Sequence, residues 1–155
     1  MIKLEQKKEL KRDEILKLYT KGYTKPEDYR IGIEYERLPI SATSFKAIDY
    51  WSENGIKHFL EEFAKEETWD YILDGKNIIG LQKEHDTITL EPGAQIEISA
   101  KPEKSIFQLK SKIENINSKI DAALATSNVT LSNYGVSPYS THKSINLIPN
   151  PKKTQ

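Results

Sequence analysis

Two carboxylates separated by one residue, Glu34 and Glu36, stand in the segment Ile31-Gly32-Ile33-Glu34-Tyr35-Glu36. If this segment is extended, residues two apart project from the same face, so the pair would point together. Like charges held side by side repel unless a cation lies between them. Magnesium is the obvious candidate, because it prefers hard oxygen ligands and shares them with substrate phosphates. The same spacing also arises on the solvated face of any half-buried strand. Taken alone, the pair is more often such a face than a metal site.

A second polar row runs through residues 87–100. Even positions Ile88, Leu90, Ile96 and Ile98 are apolar, whereas odd positions Thr87, Thr89, Glu91, Gln95, Glu97 and Ser99 are polar. The alternation continues through Pro92 and Gly93 and predicts one long strand. Proline and glycine inside a strand mark an edge, a bulge or a close approach by a ligand. A polar strand face opened at that point is a better candidate site than an uninterrupted one. Elsewhere the chemistry is thin. His58, His85 and His142 do not pair, and neither a nucleophile–base motif, a glycine-rich phosphate loop nor zinc-ligand spacing is present. The Lys/Glu-rich stretches at 3–17 and 61–67 read as solvated helix faces. Trp51 and Trp69 read as packing residues.

The elements that must carry these residues follow from periodicity. Residues 4–21, with Leu10, Ile15, Leu18 and Tyr19 as a narrow stripe and Gly22 as a stop, predict a helix. A strand is expected over 29–40 and a short helix over 44–51. A second helix is expected over 55–65, where Ile56, Phe59, Leu60 and Phe63 share one side. Trp69, Tyr71 and Ile72 should pack near its end. A turn at Asp74–Gly75 leads into a strand over 77–84, and His85–Asp86 connects it tightly to the next. Ser105 and Gln108 have capping-box spacing before the stripe Ile106, Leu109, Ile113, Ile116, Ile120 and Ala123. A last strand is expected over 129–140, then an irregular tail over 144–155. Three or four strands interleaved with helices predict an α+β fold with an antiparallel sheet and helices packed on one face.

The 155 residues are enough for a single domain with a real core, and 37% of them are hydrophobic. Lys plus Arg and Asp plus Glu number 23 each, a balance that argues against a dedicated nucleic-acid binder. With no cysteine, disulfides and thiolate metal sites are excluded. There is no apolar run of membrane-spanning length, and the charged N-terminus lacks the apolar segment of a secretory signal, so neither a membrane nor export is expected. The simplest compartment is the cytoplasm.

Three blocks, Gly32-Ile33-Glu34-Tyr35-Glu36, Ile78-Ile79-Gly80-Leu81 and Leu90-Glu91-Pro92-Gly93-Ala94-Gln95-Ile96-Glu97-Ile98-Ser99, occur in an order that resembles the glutamate–cysteine ligases of the plant and proteobacterial type. The third is the most specific, since the family typically shows Leu-Glu-Pro-Gly-Gly-Gln-x-Glu-Leu-Ser there. Residues 133–138 also fit, and the resemblance spans roughly 29–149. Tyr35 stands where many relatives have histidine, and Ala94 replaces the second glycine. The resemblance implies a glutamine synthetase-like fold in which antiparallel strands form a funnel, here a partial one, whose polar inner face holds Mg2+, ATP and glutamate. It implies a ligase that joins the side-chain carboxylate of glutamate to the amine of cysteine through an acyl phosphate, the first step of glutathione synthesis. Glu34 and Glu36 would be catalytic and, with Glu91, would hold the metal. Gln95, Glu97 and Gly93 would meet substrate, with Glu97 also a candidate ligand, while the ATP-binding residues are not identifiable. Family members are considerably longer, so the chain is expected to be the N-terminal portion of a catalytic domain and inactive alone. Two alternatives stand beside this reading: a ligase using another amine, and a catalytically silent short relative that acts as a binding module. A sheet edge exposed by truncation would favour self-association.

Overall fold

The computed structural model describes residues 11–149. The parts of the expected first helix and tail that fall at 4–10 and 150–155 lie outside these residues. In chain order the elements are α1 (Arg12–Lys21), β1 (Ile31–Ser41), α2 (Ile56–Glu67), β2 (Asp70–Asp74), β3 (Asn77–Lys83), β4 (Asp86–Leu90), β5 (Ile96–Glu103), α3 (Ile106–Ala125) and β6 (Val129–Ser132). The strands form one antiparallel sheet in the order β2-β3-β4-β5-β1-β6, so the α+β expectation holds.

Three consecutive hairpins build most of the sheet. Gly75 turns β2 into β3 at φ +59°, a conformation that glycine adopts without steric cost. Residues 84–85 turn β3 into β4, with Glu84 at φ +56°. The third hairpin corrects the sequence expectation of one strand over 87–100. The alternation is real, but the chain folds back between Leu90 and Ile96, where Ala94 takes φ +65° and its N–H reaches Glu91 O at 2.8 Å. Strand periodicity cannot report this reversal, because the side-chain pattern has the same phase before and after the turn.

After β5, α3 crosses the sheet and delivers β6 to the far side of β1. Ser105 caps α3 by accepting a hydrogen bond from the Phe107 N–H at 3.2 Å. Leu109, Ile113, Ile116, Ile120 and Leu124 of α3 and Phe59, Leu60 and Phe63 of α2 are buried in the same core as Leu81, Ile88 and Ile98. The register places Leu81, Ile88, Ile98 and Tyr35 in one row across β3, β4, β5 and β1. Each buried Leu or Ile in this layer contributes about 1.5–3 kcal/mol relative to exposure. Both packed helices therefore lie on one face of the sheet, as the apolar stripes predict.

Other expectations need correction. Residues 44–51 form no helix: Ser41 Oγ accepts the N–H groups of Thr43 and Ser44, and Ala47 bridges to Ile40. A serine that satisfies nearby backbone in this way competes with helical hydrogen bonding. Residues 70–74, expected only to pack beside α2, are instead the edge strand β2, with Trp69 against Phe63 at a ring separation of 6.1 Å. The last strand ends at Ser132 rather than residue 140, and among the described residues the sheet has six strands rather than three or four. In α1, Ile15, Leu18 and Tyr19 are all exposed and no residue is buried.

Candidate metal centre

The face opposite the helices carries the polar row. Pairing of β1 with β5 sets Glu36 directly opposite Glu97, and pairing of β5 with β4 sets Glu97 opposite Thr89. One step along, Glu34 lies opposite Ser99, and Ser99 opposite Thr87. Opposed residues of antiparallel strands share a face, so these side chains form two adjacent polar rows.

The β4–β5 turn adds the third carboxylate. Six residues of continuous strand would separate Glu91 from Glu97 by about 20 Å. Folded back, Glu36, Glu91 and Glu97 each place a carboxylate oxygen within 4.8 Å of the others. Of the described residues, these three form the acidic group close enough to share a metal ion. Glu91 and Glu97 are half-buried, and Glu36 is exposed. Glu34 is exposed and lies outside this group, so the structure pairs Glu36 with Glu97 across strands rather than with Glu34 along one strand.

Glu97 is held by its neighbours. Its Oε1 accepts the Thr89 hydroxyl at 3.1 Å and the Ser99 hydroxyl at 3.2 Å. Two hydroxyl donors on one oxygen orient the carboxylate. Alternation marks Thr89 and Ser99 only as polar positions; the register of Thr89 against Glu97 is set by strand pairing.

Gln95 and Gly93 serve the turn itself. Gln95 Oε1 accepts the Gly93 N–H at 3.0 Å, and the Glu91 N–H reaches Gln95 O at 3.0 Å. A Cβ at Gly93 would lie 2.8 Å from that Gln95 oxygen and 3.5 Å from Ile145 Cγ2. The glycine thus answers to close packing within the turn, and the Gln95 amide oxygen is engaged there. Three hard oxygen donors, from β1, β5 and the turn between β4 and β5, with no sulfur or imidazole among them, are a donor set suited to Mg2+ or Mn2+.

On the other face, Arg37 of β1 binds α3 and β6. Its guanidinium donates to Asp121 at 2.8 Å, to Asn117 at 3.3 Å and to Leu131 O at 3.0 Å. The strand that bears Glu36 is thereby fixed to the core one residue away.

Residues 30–152 match the model of the family described as Glutamate-cysteine ligase family 2. The chain is 26% identical over 140 residues to the chloroplastic glutamate–cysteine ligase of Medicago truncatula, covering 90% of this chain and 27% of that protein. It is 28% identical over 106 residues to chloroplastic glutamate–cysteine ligase B of Oryza sativa subsp. japonica, covering 68% and 21%. The chloroplastic enzyme of Arabidopsis thaliana is 24% identical over 140 residues, covering 90% and 26%. The chain spans about a quarter of the length of these curated relatives.

Proposed function

Because the chain belongs to glutamate–cysteine ligase family 2, we propose that it supplies the acidic half of a Mg2+–ATP site for joining glutamate to cysteine. The observation that carries this reading is the meeting of Glu36 of β1, Glu97 of β5 and Glu91 of the β4–β5 turn, whose carboxylate oxygens lie within 4.8 Å of one another. Those three residues would hold the metal, and Glu34, on the same face in the next row, would contact it through water or substrate. When bound there, Mg2+ supplies neutralisation of charge on the ATP phosphates.

The chain's own part is positional. Thr89 and Ser99 orient Glu97, the β4–β5 turn presents Glu91, and Arg37 anchors the strand of Glu36. In the proposed reaction the side-chain carboxylate of glutamate attacks the terminal phosphorus of ATP and ADP departs. The amine of cysteine then displaces phosphate from the resulting acyl phosphate. The polar strand face beside Gln95 is where substrate would lie, with cytoplasm as the proposed compartment. Among the described residues β2 and β6 each pair on one side, leaving two sheet edges through which copies of the chain would associate, measurable by sedimentation.

The test is a Mn2+ titration of the chain followed by electron paramagnetic resonance. Saturable binding that Mg2+ displaces, weakened about tenfold or more by Glu97→Gln, is expected. Equal affinity in the wild type and the variant would overturn the assignment. Phosphate release from ATP with glutamate and cysteine should be small for the chain alone. Rapid turnover would show that a quarter-length chain suffices, and turnover only with a different amine would favour a related ligase.

A further inference from the structure

The Glu91 turn is gripped from outside by a distant part of the chain. Pro92 O accepts the Ile148 N–H at 3.0 Å. Ile145 sits over Gly93, close enough that an added Cβ there would touch it at 3.5 Å. Ile148 is itself half-buried against the core.

The segment that does this is tied at three further points to the irregular stretch after β1. Ser140 Oγ accepts the Ala47 N–H at 2.8 Å, Asn146 Nδ2 donates to Asp49 Oδ2 at 2.7 Å, and the Trp51 indole N–H donates to Leu147 O at 3.0 Å. Asp49 is a firm anchor. Its Oδ1 accepts the Trp51 N–H at 2.9 Å and both the N–H and hydroxyl of Ser52 at 2.8 Å. Its carbonyl accepts the Ile56 N–H at 3.1 Å, which joins it to the start of α2. A continuous set of contacts therefore runs from a core helix through Asp49 and Asn146 to the turn that carries Glu91.

We propose that residues 140–148 are a strap that fixes the Glu91 turn against Glu36 and Glu97, with Asp49 and Asn146 as its positioning pair. The turn's own hydrogen bonds fix its shape, whereas a movement of the turn as a unit would swing Glu91 away from the other two carboxylates. The strap restricts that swing and so sets metal affinity from a distance, in the way partners behind a ligand commonly do. This role in affinity rests on the metal reading above; the restraint of the turn does not.

The experiment uses the whole chain with Asn146→Ala and the exchanged pair Asp49→Asn/Asn146→Asp, which restores the hydrogen bond with donor and acceptor reversed. Amide hydrogen exchange without metal should be faster at Glu91 and Ala94 in Asn146→Ala, and Mn2+ affinity should fall about tenfold. The exchanged pair should recover both. Unchanged exchange at the turn overturns the strap whether or not metal binds. Faster exchange with unchanged Mn2+ affinity, in a chain whose binding still depends on Glu97, overturns the positioning role and leaves only a structural tie. A wild-type chain that binds no Mn2+ overturns the metal reading and with it the positioning role, while exchange still decides the strap.

Discussion

Glu36, Glu91 and Glu97 place three negative charges in one small volume, and metal-free folding must tolerate their repulsion. Two unit charges 4.8 Å apart repel by about 3–4 kcal/mol at an effective dielectric of 20, but the exposure of Glu36 screens most of this. Glu36→Gln should therefore raise stability in chelator by about 0.5 kcal/mol while weakening Mn2+ binding. Thermal melts with and without the ion measure both signs, and a loss of stability in chelator would count against mutual repulsion. Ala94 makes a second case at this scale. Its left-handed backbone costs about 1–2 kcal/mol, which glycine would remove. Glycine would in turn lose about 0.8 kcal/mol of buried methyl and about 0.5–1 kcal/mol of chain entropy. Ala94→Gly should thus be nearly neutral by urea denaturation, and a loss above about 2 kcal/mol would show that the methyl contact dominates. The candidate residues were legible as types and alternation. Which of them meet was not, because the Glu36–Glu97 and Glu91–Glu97 proximities depend on strand pairing and on a reversal invisible to a period-two pattern.

At the scale of elements, β1 links the two faces. Glu36 points to the polar side, whereas Arg37, only 11% exposed at its side chain, ties the strand to α3 and β6. Arg37→Met would strip Asp121, Asn117 and Leu131 O of a shared donor. A cost of about 2 kcal/mol by chemical denaturation is expected, limited by the partial exposure of Asp121. Asp49 gives the strap a pH limit. Burial raises its pKa, but the hydrogen bonds from Asn146, Ser52 and Trp51 outweigh burial and hold the carboxyl below the ordinary aspartate value of 3.8. Since the folded value is depressed, this stabilisation is present above the unfolded pKa and disappears as pH falls through the folded one. Denaturation between pH 5 and 2 should show a smaller acid-induced loss in Asp49→Asn than in the wild type. The helices α2 and α3 were readable because their apolar residues repeat at helical spacing. β2 was not, because Tyr71 and Leu73 are exposed on an edge strand and leave little burial pattern to read.

For the whole molecule, stability resides in the single layer between α2, α3 and the sheet. Phe63, 1% exposed and central to that layer, should cost about 3–5 kcal/mol when changed to Ala. Leu18 of α1, 61% exposed, should cost less than about 0.5 kcal/mol when changed to Ser. Comparable urea midpoints for the two variants would contradict a core confined to one face. The described residues include no helix long and apolar enough to cross a membrane. The sequence by itself determined the two packed helices, the polar strand rows, the α+β class and the family resemblance, because periodicity and local blocks are written along the chain. Only the tertiary structure decided that Glu36, Glu91 and Glu97 meet while Glu34 lies one row away, and that residues 140–148 close over the Glu91 turn. These are contacts between residues far apart in sequence, or across a chain reversal, and they exist only after the register of every intervening strand has been set.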